Sequence, residues 1–538
     1  MGDKDFGEVE HYSGEVVVEH GVTASAMHQK HSAQGVLLVP QPSDDPRDPL
    51  NWSLAKKATT FTIVCFVAFA GLLQALANAS GFFYQATAYG KTPIEISYSL
   101  SAAIAGLTFG PFVWTPLATR YGKAAIMFWS MVLTMGANIW SACMTGKNDY
   151  VPFVWSRGFA GFFGSAPLTI GANFIVEIFF LHDRGKCFAI YTFSILVGGI
   201  CCSTFSGYIV QRVSWTVQFW YNVGLEAVLA LSCVLFLDET NWSRPGQLPV
   251  PTPPKGLVQR KLATYFFTKP MTAKRSPAEL FKSWTLTFRV ASCPVSIIVG
   301  GNMLIFYGFG IGINTLLSIF LQEPLEDGGY GFSADQNASF TFVLWVSAFL
   351  AQAYGLFIGD RLPLAICARN RGVWKPEYRL HSTWLPLLVS FPLGVGLFGG
   401  SLYYHWHYMV LAVGVFLSNF GAISAVSPLL NYVVEALTPA YANEVAAALN
   451  FYRTCFALSI PFFLDYWIAA VGVNWAFGMM SIFVVVAYMG IIACMIWGPA
   501  IRAKSVVHAN SEAGIHILDE TPPVGEGRGW SLGRREVS

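Results

Sequence analysis

The residues of this sequence that could carry chemistry are ionisable side chains set within long apolar runs. Arg157 and Arg453 are each surrounded by uncharged residues, and Glu226 lies at the centre of another such run. An ionisable side chain is costly when it faces hydrocarbon, so each of the three is expected to face protein or a wet cavity. Such groups are typical of binding and proton exchange within a membrane rather than of covalent catalysis.

Glu226 is the preferred internal proton site, because burial disfavours the charged carboxylate and so favours proton uptake. The alternative is a carboxyl that hydrogen bonds keep neutral and that has no part in transport. Arg157 and Arg453 are expected either to organise a substrate or proton pathway, or to lock helices together through carbonyls or a carboxylate. The residues alone leave both alternatives open.

Uncharged polar side chains also interrupt the apolar runs. Such side chains either line a cavity or form hydrogen bonds between helices, and the second interpretation explains any single one of them as well as the first. The members of this set are Gln74, Asn78, Gln85, Asn302, Asn314, Asn419 and Asn450. We carry Gln74, Asn302, Asn314 and Asn450 forward as candidate pathway residues.

Other kinds of chemistry have little support in the sequence. The ten cysteines show no paired spacing, so neither a disulfide framework nor a zinc site is expected. His405 and His407 lack a third ligand nearby, and no glycine-rich phosphate loop is followed by lysine and serine. We therefore expect no metal, no cofactor and no use of ATP, which excludes most classes of enzyme. A net charge of +2 gives no reason to expect a nucleic-acid partner.

The elements that must position these residues are membrane-spanning helices. Of 538 residues, 54% are hydrophobic and 12% charged, whereas soluble domains carry about 25% charged residues. Crossing a bilayer takes about 20 helical residues. Twelve runs of that length occur, at residues 58–80, 97–117, 124–143, 151–173, 188–210, 216–237, 295–320, 339–359, 383–403, 407–430, 445–468 and 474–497. The predicted fold class is an all-α membrane protein.

The twelve runs divide into two sets of six. We predict a tail at 1–57, a six-helix bundle at 58–237, a linker at 238–294, a second six-helix bundle at 295–497 and a tail at 498–538. The linker contains prolines and then basic and aromatic residues. A plain flexible linker is the favoured interpretation, and a segment resting on the membrane surface is the alternative.

Basic residues give the chain an orientation. With the amino terminus inside, 28 of the 33 lysines and arginines fall on the inner side, and only Lys91, Lys147 and Arg212 fall in outer loops. Because cationic loops are poorly translocated, both termini are predicted to be cytosolic. The outer loop between spans seven and eight contains the sequon that begins at Asn337, which is a candidate glycosylation site.

Several motifs resemble the major facilitator superfamily, in particular its fungal drug:proton antiporters with twelve spans. The likeness covers most of the chain. It rests on Asp48–Ser53 with Lys56 and Lys57, on Pro116–Lys123, on Arg157–Gly161, on Ile178–Gly185, on Asp238–Thr240, on Arg369–Gly372 with Pro376–Leu380, and on Asn450 with Arg453. The resemblance implies two bundles that rock about a central substrate site, with Arg157 in proton coupling.

Arg120, Gly122 and Lys123 correspond to the family's conformational loop motif between spans two and three. Thr119 replaces an acidic residue often found there, and Ala124 replaces a second basic one. The resemblance therefore implies a weakened charge lock.

The resemblance departs from the antiporter pattern in span five. Cys202-Ser203 stands where a glycine-proline pair is usual, and this change leaves the direction of transport open. The leading expectation is proton-coupled export of small amphipathic compounds by a plasma-membrane monomer. Uptake of a small organic cation, polyamine or other nutrient is the alternative, and a membrane receptor that does not transport is a third.

Overall fold

The computed structural model describes residues 40–242, 254, 256–267, 277–359, 361–370, 374–437 and 441–503. The elements within these residues are helices, and none of the described residues lies in a β-strand. Twelve helical segments are long and apolar enough to cross a membrane. They are Leu54–Tyr89, Pro93–Tyr121, Lys123–Cys143, Lys147–Ile178, Asp183–Arg212, Val217–Phe236, Pro294–Gln322, Ala334–Arg369, Pro376–Tyr404, Tyr408–Leu437, Glu444–Val471 and Val473–Arg502. We call them spans one to twelve.

Both ends of this twelve-span array and the segment between spans six and seven lie on the same side, which we call the linker side. The opposite side is the far side. Most spans extend past the predicted apolar runs, because polar caps continue the helix beyond the hydrophobic stretch. At the start of span two, Thr92 Oγ1 accepts from the Glu95 amide (3.2 Å) and Glu95 Oε2 accepts from the Thr92 amide (2.8 Å), which satisfies helix-end donors.

The spans form two six-helix bundles, each with its own buried apolar centre. Val64, Met127 and Phe174 are fully buried in the amino-terminal half, and Phe391 and Val484 are fully buried in the carboxyl-terminal half. Small residues allow close packing: a Cβ on Gly161 of span four would overlap the Ala103 carbonyl oxygen of span two. Large apolar side chains that are exposed along the spans, such as Leu231 (59%) and Val486 (61%), suit contact with lipid.

The two halves touch on the far side and in the middle. Thr204 Oγ1 of span five lies 2.6 Å from Thr341 Oγ1 of span eight, and Tyr208 Oη lies 2.8 Å from Ser339 Oγ. Nearer the middle, Thr108 Oγ1 of span two donates to Thr454 Oγ1 of span eleven at 2.9 Å. The far side is thus closed by direct contacts between spans five and eight.

Two shorter helices lie between the halves. The first linker helix, Leu257–Phe266, packs on the amino-terminal half. Its fully buried Tyr265 donates to the Cys233 and Leu237 carbonyl oxygens at the end of span six (2.5 and 2.7 Å). In the second linker helix, Pro277–Ala291, the Phe288 ring stacks on Phe112 of span two with centroids 5.2 Å apart. The linker is therefore partly helical.

Candidate functional site

Arg157 lies in span four and is completely buried. Its Nη2 donates to the carbonyl oxygens of Gln74 (2.5 Å) and Ala75 (2.9 Å) in span one. The guanidinium also stands 5.0 Å from the centre of the Phe219 ring in span six. Arg157 thus draws together three spans through two hydrogen bonds and a cation–π contact.

Asn138 of span three joins Arg157 to Glu226. Arg157 Nη1 donates to Asn138 Oδ1 at 3.1 Å, and Asn138 Nδ2 donates to Glu226 Oε1 at 2.8 Å. All three side chains are at most 1% exposed. The amide therefore serves as a bridge between cation and carboxyl, with its oxygen turned to the first and its nitrogen to the second.

This bridge is incomplete in a chemically important way. Among the described residues, neither Glu226 Oε2 nor Arg157 Nε has a hydrogen-bond partner. A buried carboxylate oxygen without a donor is costly, and a proton on Oε2 would remove that charge. The Arg157–Asn138–Glu226 chain can thus hold a mobile proton at one end and a fixed positive charge at the other.

Sequence reasoning predicted Arg157 and Glu226 as pathway residues but missed Asn138. Gln74 also stands beside Arg157, although through its backbone: its side-chain Nε2 donates to the Ala160 and Gly71 carbonyl oxygens (2.9 and 3.1 Å). The Gln74 side chain therefore ties span one to span four. A role for Gln74 in the pathway stays a prediction.

Arg453 and Asn450 form a separate pair in span eleven. Arg453 Nε donates to Asn450 Oδ1 at 2.9 Å, and the guanidinium lies 5.2 Å from the centre of the Tyr307 ring of span seven. Both residues are partly exposed. The cation of the carboxyl-terminal half, Arg453, is thus partly exposed beside span seven, whereas Arg157 of the amino-terminal half is completely buried.

The two asparagines of span seven have different surroundings. Asn314 Nδ2 donates to Asn419 Oδ1 at 3.3 Å, and Asn419 Nδ2 donates in turn to Ser347 Oγ at 2.5 Å. Asn302 is 2% exposed, and neither polar atom of its amide has a partner among the described residues. A buried amide with unused donors and an unused acceptor is a candidate for hydrogen bonding to a substrate or water.

The predicted conformational loop motif lies on the linker side. Gly122 has a φ of +103°, a left-handed backbone conformation that favours glycine, and a Cβ there would lie 2.5 Å from Glu239 Oε2, so the Glu239 carboxyl group would have to shift. Lys123 pairs with Glu177 at the end of span four and donates to Asn241 Oδ1 at 3.0 Å. Arg120 lies with its guanidinium 5.5 Å from the Tyr121 ring.

Glu239 and Thr240, which follow span six, complete this motif. Glu239 accepts from the backbone amides of Lys123 (3.2 Å) and Ala124 (3.1 Å) at the start of span three. Thr240 Oγ1 donates to Glu177 Oε2 at 2.5 Å. Burial raises the pKa of Glu239, against the opposing effect of Lys123. The altered motif thus still joins the linker-side ends of spans three, four and six.

Two further predictions concern single positions. Asn337, the candidate glycosylation site, is fully buried, and its amide donates to Ser318 Oγ at 3.1 Å. Glycosylation there stays a prediction, and in this conformation a glycan would require the segment to open. Cys202 is also fully buried in span five, whose helix begins at Leu181, ends at Arg212 and contains no proline.

Among the described residues, no group of three or more His, Cys, Asp or Glu could hold a metal ion.

Several fungal transporters are similar to this chain. The chain is 26% identical over 473 residues to the "MFS-type transporter penM" of Penicillium rubens, with 86% of this chain and 88% of that protein aligned. It is 25% identical over 474 residues to the "Efflux pump vrtL" of Penicillium aethiopicum, with 86% and 89% aligned. Both alignments cover nearly the whole transporter.

The similarity to a solved structure supports the fold of this chain and says nothing of its substrate. The xylose transporter XylE from E. coli, in a partially occluded inward open conformation, matches with a TM-score of 0.55 and 13% identity, covering 81% of this chain and 97% of that one. Residues 60–463 match the family model described as Major Facilitator Superfamily. The chain therefore belongs to the major facilitator superfamily and is an integral, multi-pass membrane protein with that family's fold of two six-helix bundles.

Proposed function

We propose that the protein is a secondary active transporter, and not an enzyme, that exports small amphipathic organic compounds in exchange for protons. Toxins, drugs and secondary metabolites are the substrate class. The observation that carries the proposal is the buried Arg157–Asn138–Glu226 chain, since a carboxyl with one unpartnered oxygen has little structural purpose unless a proton binds there.

The proposed cycle needs no covalent chemistry. With Glu226 protonated, its neutral carboxyl donates or accepts within the bundle without a net charge. With Glu226 ionised, Arg157 supplies the compensating charge through Asn138. Loading and release of this proton would favour different arrangements of the two halves, so a proton gradient would bias the alternation that moves substrate.

Export is preferred because vrtL, which aligns along 89% of its length, is named as an efflux pump. Arg453, Asn450, Asn302 and Asn314 are the proposed substrate contacts in the carboxyl-terminal half. We place the protein in the plasma membrane as a monomer. We assign both termini and the linker to the cytosol because the basic residues concentrate on that side.

The test is flux of candidate compounds in vesicles of known orientation under an imposed proton gradient. Replacing Glu226 by glutamine keeps the volume and the bond from Asn138 but removes the titratable proton. We expect gradient-driven flux to fall at least tenfold, while exchange of substrate without a gradient persists. Gradient-driven flux that is unchanged in Glu226→Gln would refute the role of Glu226.

Glu326→Gln is the matched control, because Glu326 is an exposed carboxylate on the far side. This control should retain flux at equal protein abundance. If Glu226→Gln gives a poorly folded protein, Glu226→Asp keeps a titratable carboxyl at a shorter reach. That variant should restore part of the coupled flux.

Uptake is the second candidate, and a specific observation favours it. Span five continues without proline through Cys202 and Ser203, where exporters of the resembled type carry a glycine-proline pair. Counterflow in oriented vesicles distinguishes the two directions. Accumulation of substrate on the linker side under an inward proton gradient would show that the protein takes up its substrate and does not export it.

A further inference from the structure

A groove runs along the lipid-facing surface between spans one and six, near their linker-side ends. Its volume is about 450 Å³, and its lining residues are Ala58, Thr59, Thr62, Ile63, Phe66, Leu229, Ser232 and Phe236. The hydroxyls of Thr59 and Ser232 donate to carbonyl oxygens of their own helices, at Ala55 and Val228. The groove therefore presents a largely apolar surface to the bilayer.

A cluster of cations stands at the linker-side end of this groove. Lys56 Nζ lies 2.8 Å from Asp238 Oδ2, Lys261 Nζ lies 3.1 Å from Oδ1, and Arg260 Nη2 lies 3.4 Å from Oδ2. Three cations thus share a single carboxylate in this cluster, which leaves positive charge in excess.

The groove and the cluster are adjacent in the chain. Lys56 comes three residues before the lining residue Thr59, which places both on one face of span one, and Asp238 comes two residues after Phe236. Lys56 and Arg260 each have 37% of their side chain exposed, so both remain accessible beyond Asp238.

The same region has the features of a membrane interface. Trp52 lies with its ring 3.8 Å from Lys56 Nζ, and tryptophan is enriched at the boundary between headgroups and acyl chains. The first linker helix exposes an apolar stripe of Val258, Leu262 and Phe266, which are 69%, 44% and 54% exposed. A helix with its other face docked on the protein and this stripe uncovered suits the interfacial layer.

We propose that the groove and the cation cluster together form a binding site for an anionic phospholipid. One acyl chain occupies the groove, and the phosphate lies against Lys56 and Arg260. The excess positive charge selects an anionic headgroup, because basic residues at the membrane surface attract such lipids. The apolar lining selects a lipid over a soluble anion, which would gain nothing from the groove.

Binding to the purified full-length protein tests this proposal. Native mass spectrometry would compare retention of dioleoyl phosphatidylglycerol with that of dioleoyl phosphatidylcholine in mixed micelles. We expect the anionic lipid to be retained preferentially. In the double variant Lys56→Gln/Arg260→Gln, the affinity for the anionic lipid should fall about fivefold for each cation removed. This factor corresponds to about 1 kcal/mol for each basic residue at the membrane surface.

Two matched variants make the test specific. Lys147→Gln/Arg212→Gln removes the same charge from exposed far-side positions and should leave retention unchanged; an equal loss there would mean diffuse attraction and overturn the site. Thr62→Trp fills the groove without changing charge and should weaken retention of both lipids. Retention unaffected by Lys56→Gln/Arg260→Gln would also overturn the proposal.

Further measurements separate a folding defect and a soluble anion from loss of the site. Lys56→Arg/Arg260→Lys preserves charge and should bind the anionic lipid as the wild type does. Inorganic phosphate at millimolar concentration should not displace the lipid. Displacement by phosphate would identify a soluble-anion site instead. These readouts are of binding, so they are independent of the proposed transport activity.

Discussion

At the residue scale, a neutral side chain determines how the buried charges of the amino-terminal half are related. Asn138 is the only connection in the described structure that joins Arg157 to Glu226 by hydrogen bonds. A carboxylate in its place would compete with Glu226 for the arginine, and an apolar residue would disconnect the two. The amide gives Arg157 Nη1 an acceptor and Glu226 Oε1 a donor without itself titrating.

Replacing Asn138 by leucine tests this role with little change in volume. Arg157 Nη1 and Glu226 Oε1 would each lose a partner while buried, which costs about 1 to 3 kcal/mol per group. We expect proton-driven flux to fall at least tenfold and the pH of half-maximal flux to shift, since Glu226 would lose its donor. Flux measured against external pH would record both effects.

Asn148→Leu is the control for this substitution, because Asn148 is exposed in the first turn of span four, on the far side. It should leave the pH profile where it is in the wild type. A pH profile of Asn138→Leu that coincides with the wild type would show that the bridge has no part in coupling.

Sequence reasoning reached Arg157 and Glu226 because a charge within an apolar run is conspicuous by itself. Asn138 gave no such signal, because a single amide in a span is common and its importance lies entirely in what tertiary packing places on either side. The same limit applies to Gln74, whose side chain proves to hold two spans together. Neighbours across helices cannot be read from a one-dimensional pattern.

At the element scale, the segment after span six connects several helix ends. The motif Asp238-Glu239-Thr240 was recognisable by resemblance, but the sequence did not indicate what each residue contacts. Asp238 pairs with Lys56, Arg260 and Lys261, whereas Glu239 caps span three and Thr240 donates to Glu177. Three consecutive residues thus fix spans one, three and four and the first linker helix.

The twelve spans were predicted correctly because each has to satisfy its backbone within a fixed hydrocarbon thickness. Their ends were less predictable, since polar caps extend helices into water. The sequence favours a flexible linker, whereas in the structure Lys261 and Tyr265 anchor a helix of this segment on the carbonyl oxygen of Leu237. That anchoring depends on the end of a span elsewhere in the chain.

The Asp238 cluster predicts a pH dependence of stability. Burial opposes ionisation of Asp238, but the hydrogen bond from Lys56 and the charges of Lys261, Lys56 and Arg260 outweigh it and hold its pKa below the ordinary value. A carboxyl with a depressed folded pKa stabilises the fold above its unfolded pKa, about 3.9. This contribution is lost as pH falls through the folded pKa.

Asp238→Asn should therefore lower the free energy of unfolding by about 2 kcal/mol at neutral pH. The difference from the wild type should begin to shrink as pH falls below about 4, where the unfolded carboxyl takes up its proton, and should vanish as pH falls through the lower folded pKa. Thermal unfolding in detergent across this pH range measures both. A difference that stays constant with pH would exclude the charge as its cause, and exposed Glu326→Gln should show no difference at any pH.

At the scale of the whole molecule, the far-side contacts define which way the protein is closed. Thr204 and Thr341 lie in different halves with hydroxyl oxygens 2.6 Å apart, and Trp345 Nε1 donates to Thr204 Oγ1 at 3.1 Å. Gly207 of span five packs so closely on span eight that a Cβ would lie 2.7 Å from the Ala334 carbonyl oxygen. Alternating access requires all these contacts to separate in each cycle.

A reversible cross-link tests this requirement. In Thr204→Cys/Thr341→Cys the two sulfur atoms would take the places of hydroxyl oxygens that already touch, which suits a disulfide. Oxidation should trap the far side closed and abolish net flux, and a reducing agent should restore it. Because Cys201 and Cys202 are close in sequence, Thr341→Cys alone is the necessary control and should remain active under oxidation. Full flux through the oxidised, cross-linked double variant would mean that transport proceeds without separation of spans five and eight, and the rocking of two rigid halves would have to be abandoned.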